Sequence, residues 1–278
     1  MASDPDEVTE AALEAVTEAV ELADQEQRQE EAWRSRHGRR RFAGRLGGRF
    51  AGRAGEARGV RRLAASMGGA ARRGARLTGS GMASGGRWLS GQVLAMAPRI
   101  PVRDSATLRA QFPGRSPDEL ADLLIDGAAR ASAAVGVAVG TWAVLPFPPA
   151  AGVEVATETL AVVGIEIKLV AELHEVYGLR APGSTIDRMS AYVGSWAQRR
   201  GVSLAPGGLV LAAGSPLARQ LQRRLAARAS KSVFALGPLL TGAAAGGLVN
   251  RRETRKLGHL LRADLRGRAA SGPAPARD

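Results

Sequence analysis

The stretch GTWAVLPFPPAAGVEVATETLAVVGIEIKLVAELHEVYG, residues 140–178, decides the fold class. Plotted at 100° per residue, Glu154, Glu158, Lys168, Glu172 and Glu175 fall within roughly 100° of arc. Leu160, Val163, Ile167, Val170, Leu173 and Tyr177 occupy the other side. The spacing predicts a strongly amphipathic helix over about residues 150–177. Pro146, Pro148 and Pro149 stand just before it and predict a corner, because a helix interior does not accept proline.

Two titratable residues interrupt the apolar side of this helix, Glu166 and His174. They are eight positions apart, about 12 Å along the axis, so each needs its own partner. For Glu166 the reading is a buried ion pair with a cation of the basic C-terminal region, Arg251, Arg252 or Arg255. For His174 it is a satisfied core histidine, since no metal-ligand spacing accompanies it.

Upstream, Ser116, Pro117 and Glu119 form a helix start signal, with a cap, a first-turn proline and a capping-box acid, and predict a helix from 117 to about 135. The run Ala131 to Val153 is uncharged for 23 residues, but prolines split it and alanine and glycine make it weakly apolar, which argues against a membrane span. Further helices are predicted at about 185–200, at 216–233 after Ser215-Pro216, and at about 238–267. The last begins in another uncharged run whose Gly242 and Gly246 form a GxxxG pair suited to close helix packing. With 45% apolar but only 4% aromatic residues, the core is expected to be built from small aliphatic side chains on closely approaching helices. The fold class predicted is all-α.

The chain has 278 residues and a net charge of +13, distributed in blocks. Residues 1–31 carry net −10, residues 32–97 net +14, residues 98–198 net −3 and residues 199–268 net +12. In the first block Asp4, Pro5 and Glu7 cap a helix with Val8, Ala12, Leu13, Val16 and Val20 at helical spacing. Glu10, Glu14 and Glu18 repeat along it as a negative stripe, which could mask the basic block that follows. That block contains a tetrad repeat beginning at Arg41, Arg45, Arg49 and Arg53, with Phe42, Leu46 and Phe50 beside the arginines. Guanidinium groups beside apolar side chains suit an anionic membrane surface. The interspersed glycines favour a disordered linker or arm in water, and nucleic-acid phosphates would attract the same arginines. The organisation read from these blocks is an acidic amphipathic helix (1–31), a basic arm or linker (32–97), a helical domain (98–268) and a disordered tail (269–278).

Cysteine is absent, which excludes disulfides, thiolate nucleophiles and cysteine-ligated metals. No GxxxxGK[ST], GxSxG, HExxH or ExxH motif is present, so no catalytic residue, metal or cofactor is expected. The acidic start lacks the features of a secretory leader, and a cytoplasmic location, peripheral to the inner face of the membrane, is expected.

Residues 140–178 and LGPLLTGAAAGGLVNRRETRKLG, residues 236–258, together resemble the EcsC family of bacterial proteins. The positions carrying the resemblance are Gly140, Pro146, Glu154, Tyr177, Gly178, Pro238, Gly242, Gly246, Asn250 and Thr254. Glu154 stands where the family typically has Asp. The resemblance covers about residues 117–266 and implies an envelope-related association without implying a reaction. The function expected is a non-enzymatic interaction protein at an anionic membrane surface, with a membrane-protein partner; the alternative is a nucleic-acid-associated protein using the Arg-rich arm.

Overall fold

A computed structural model describes residues 5–37, 82–142, 151–205, 208–211 and 239–271. The elements are helices α1 (Pro5–His37), α2 (Met82–Met96), a 3-10 turn (Ala97–Arg99), α3 (Ser105–Gln111), α4 (Pro117–Trp142), α5 (Ala151–Val176) and α6 (Thr185–Arg200). A short antiparallel hairpin, β1 (Val202–Ala205) with β2 (Gly208–Leu211), precedes α7 (Leu239–Ala270). The fold is all-α apart from that hairpin, which sequence periodicity did not predict. The proline corner at 146–149 and the helix predicted at 216–233 lie outside the described residues, as do Arg41, Arg45, Arg49, Arg53, Pro146 and Pro238.

Local signals place the helix ends where the sequence puts them. Ser116 N donates to Glu119 Oε2 at 2.9 Å and Glu119 N donates back to Ser116 Oγ at 3.3 Å, closing the predicted capping box of α4. Ser184 and Asp187 form a second such box at α6. Gly178 at φ 68° turns the chain out of α5, a left-handed conformation that favours glycine.

Helix α5 is the centre of the molecule, and every residue from 157 to 176 is buried. The predicted amphipathic helix is present, and its charged side is buried as well: Glu158, Lys168, Glu172 and Glu175 are all inside the fold. Arg103 and Lys168 bond Glu172, Ser105 N donates to Glu175, and Glu158 accepts from Asn250 of α7. A helical plot finds the polar side but cannot tell water from an internal salt-bridge partner.

The domain boundary at residue 98 is also corrected. Val8, Ala12, Val93, Met96 and Ala97 belong to the same core cluster as Leu160, Ile167, Leu173 and Trp196. Residues 5–37 and 82–97 are thus parts of the helical domain, and the acidic helix is a wall of its core. Small residues set the spacing: a Cβ on Gly164 would meet Val16 Cγ2 at 2.7 Å, so α1 and α5 approach closely there. On α7 the close approach is at Gly247, where a Cβ would meet Val137 Cγ2 at 2.9 Å and the Ala133 carbonyl oxygen at 3.0 Å. Gly242 and Gly246 precede it in α7, where side-chain surroundings are not described.

Candidate functional site

Glu166 is buried, as predicted, but its partner is not on α7. Arg200, at the end of α6, donates through Nε to Glu166 Oε2 at 3.0 Å and through Nη2 to Oε1. Trp196 Nε1 donates to Oε2 at 2.9 Å, and Thr254 Oγ1 lies 3.0 Å from Oε1. The predicted partners point elsewhere. Arg255 pairs with Asp126 at 2.7 Å, Arg252 is exposed, and Arg251 Nε has no hydrogen-bond partner among the described residues. Helical periodicity explains the correction: once Asn250, Thr254, Leu257 and Leu261 face the core, residues 251, 252 and 255 must turn away from it.

The network extends across four helices. Thr254 Oγ1 is also 3.0 Å from Ser132 Oγ of α4. Asn250 Nδ2 donates to the Ser132 carbonyl oxygen at 3.2 Å and to Glu158 Oε1 at 3.4 Å. Arg200 Nη1 reaches Glu253 Oε2 at 3.4 Å. Burial would lower the Arg200 pKa, but the charges of Glu166 and Glu253 outweigh it, so the guanidinium stays charged. Both Glu166 oxygens already accept from two donor groups each, which leaves no lone pair suitably free to abstract a substrate proton. The arrangement joins α4, α5, α6 and α7 as a structural lock. Sequence reasoning missed Arg200 and Trp196; their spacing of four on α6 was the available signal, since it puts both on one face.

A second network ties in the N-terminal helix. Arg103 donates from Nε and Nη2 to the two Glu172 oxygens, each at 2.8 Å, and from Nη1 to Asp24 Oδ2 at 3.2 Å and Gln111 Oε1 at 2.9 Å. Lys168 Nζ adds a bond to Glu172 Oε1 at 2.6 Å. Burial alone would raise the Glu172 pKa, yet hydrogen bonds and charge from Arg103 and Lys168 hold it below the usual carboxylate range. Beside this network is a cavity of ≈ 20 Å³, lined by residues that include Gln27, Arg103, Phe112 and Lys168. It has room for about one water and none for a substrate.

The depressed Glu172 pKa gives the network a pH signature. The unfolded chain binds the proton more readily, so the stabilisation is present above the unfolded pKa of about 4.3 and is lost as pH falls through the lower folded value. Arg103→Gln is expected to reduce stability most at neutral pH and to bring the stability curves of variant and parent together in acid. Urea melts across the acid range would read this out; a constant difference at every pH would contradict it.

The remaining titratable positions are structural in the same sense. His174 Nδ1 lies 2.7 Å from the Val170 carbonyl oxygen, and its ring centroid is 5.0 Å from that of Tyr192. Burial pushes its pKa below the ordinary histidine value. Tyr177 donates to Asp118 Oδ1 at 2.7 Å, and burial together with that bond pushes its pKa up to about 12. Among the described residues no group of three or more His, Asp or Glu could hold a metal ion. Of the positions that carry the family resemblance, the structure brings Asn250 and Thr254 to the Glu166 network and places Tyr177 and Gly178 at the end of α5. Gly140 and Glu154 lie in α4 and α5 where side chains are not described.

One regularity embraces these contacts. Each carboxylate between residues 98 and 268 whose side chain is described accepts an internal hydrogen bond or ion pair, including the caps Asp104 and Asp187 and the α4 acids Asp118, Asp122 and Asp126 bonded to arginines of α7. By contrast, Arg109, Arg252, Lys256 and Arg268 have no carboxylate partner among the described residues. The chain matches no protein-family model, no curated protein and no solved structure.

Proposed function

We propose that this is a non-enzymatic, EcsC-like interaction protein that attaches peripherally to an anionic membrane surface at its cytoplasmic side and engages a membrane-protein partner there. The observation that carries the reading is the pairing of the described carboxylates in residues 98–268, set against cations that have no such partner. Buried Glu158, Glu166, Glu172 and Glu175 and surface acids such as Asp122 and Asp264 are all engaged within the fold, while Arg109, Arg252, Lys256 and Arg268 have no carboxylate partner among the described residues of a chain of net +13. Among the described residues, no helix is long and apolar enough to cross a membrane. Attachment in this reading is therefore to the surface of the bilayer.

The test is co-sedimentation of the full chain with phosphatidylglycerol-rich and with neutral phosphatidylcholine vesicles at several salt concentrations. Binding to the anionic vesicles that weakens as salt rises is expected. Equal binding to both would remove the electrostatic basis of the proposal, and binding to duplex DNA alone would favour the nucleic-acid alternative.

A further inference from the structure

Helix α7 can be divided by angle, with Leu248 set to zero and 100° per residue. Its core side, Leu257, Asn250, Leu261, Thr254 and Leu265, spans about 180° to 260°. Arg255 and Arg262, at about 320° to 340°, are bonded to Asp126 and Asp122 of α4. Glu253 and Asp264, at about 140° to 160°, are turned to Arg200 and Arg199 of α6. The arc between these two flanks, about 0° to 120°, faces outward and contains no acid.

That outward arc mixes two kinds of side chain. Leu248, Val249 and Leu260 are 63%, 43% and 56% exposed, which is high for large apolar residues. Between them stand the exposed Arg252 and Lys256, with no partner among the described residues, and Arg266, whose side chain is 66% exposed while it reaches Asp118. From Leu248 to Leu260 is about 18 Å along the axis, so the apolar groups are spread along the helix.

We infer that the outward face of α7, from Leu248 to Arg266, is the membrane-docking surface, with the helix lying in the plane of an anionic bilayer, leucines at the acyl boundary and cations at the lipid phosphates. This rests on the reading of the protein as one that attaches to anionic membranes, and it names the surface that does so. Charge complementarity selects an anionic occupant. The interleaved leucines and valine select a bilayer over a nucleic acid, because phosphates along a duplex would leave them uncovered. Glu14 and Glu21, exposed on α1, lie outside this face.

Because the chain contains no cysteine, a single introduced thiol can be labelled uniquely. Full-length Leu260→Cys and Glu14→Cys chains, each carrying an environment-sensitive fluorophore, are mixed with vesicles of equal parts phosphatidylglycerol and phosphatidylcholine. The probe at 260 is expected to shift to the blue and to be quenched by nitroxide-labelled lipid, while the probe at 14 does neither. In a second arm, Arg252→Gln with Lys256→Gln is expected to lower the partition coefficient roughly 30-fold at low salt, about fivefold for each cation. Both positions are on the surface, and an unchanged thermal melt confirms the fold. If the parent binds but the probe at 260 stays as wet as in solution, or the double variant binds as the parent does, this assignment is overturned and the membrane reading stands on another surface. If the unlabelled parent fails to bind these vesicles, or binds duplex DNA instead, both are overturned.

Discussion

A chain lacking residues 1–31 is expected to lose its cooperative thermal transition. The acidic composition of this segment suggests a detachable regulatory helix, but Val8, Ala11, Ala12, Ala15, Val16, Ala19 and Ala23 are all buried. Each valine contributes about 1.5–3 kcal/mol by burial and each alanine methyl roughly 0.8 kcal/mol. The segment therefore contributes on the order of 8 kcal/mol, comparable with the whole stability of a typical domain, about 5–15 kcal/mol. Its loss also removes Asp24 from Arg103 and Glu10 from Arg99. Circular dichroism melts of the intact and truncated chains check this. A truncated chain that melts in one sharp transition within a few degrees of the parent would show that α1 is dispensable, and would restore the idea of a helix that serves only to mask the basic arm.

The second large effect is expected at Glu166. Glu166→Gln leaves Arg200 charged and buried with only the more distant Glu253 as counter-ion, at a cost of roughly 3–5 kcal/mol. For a chain of this size that corresponds to a fall in Tm of about 10 °C. The reciprocal change, Arg200→Gln, should cost a similar amount. Replacing both, as in Glu166→Leu with Arg200→Leu, should cost less than the two single changes added together, because no orphaned charge remains. Denaturant melts of the four chains give the coupling energy directly. Additive losses would mean that the two residues do not act as a pair.

The contrast between those two results shows how far the sequence could be read. Apolar spacing and capping residues located α1, α4, α5, α6 and α7, because Pro117, Ser116 and Glu119, or Val8, Ala12 and Val16, express local rules of helix geometry. What local rules cannot encode is which face meets which neighbour. Glu172 and Lys168 look like a solvated stripe until Arg103, far away in the chain, is seen to grip Glu172 with two parallel bonds. The burial of Glu166 was legible because a carboxylate interrupting an apolar face needs a partner. Its partner was not, since the sequence offers many arginines and only the packing of α6 against α5 selects Arg200. In the same way, the basic arm at 32–97 was read as one block because its charge is continuous, although residues 82–97 turn Val93, Met96 and Ala97 into the core.

In the proposed function the outward charge of this fold serves a lipid surface. A competition tests this most directly. Full-length protein bound to phosphatidylglycerol-rich vesicles is titrated with duplex DNA at matched phosphate concentration and salt, and the fraction still sedimenting with lipid is measured. Most of the protein is expected to stay with the vesicles, because Leu248, Val249 and Leu260 gain cover in the bilayer that DNA does not provide. Transfer of the protein to DNA at equal phosphate would contradict it.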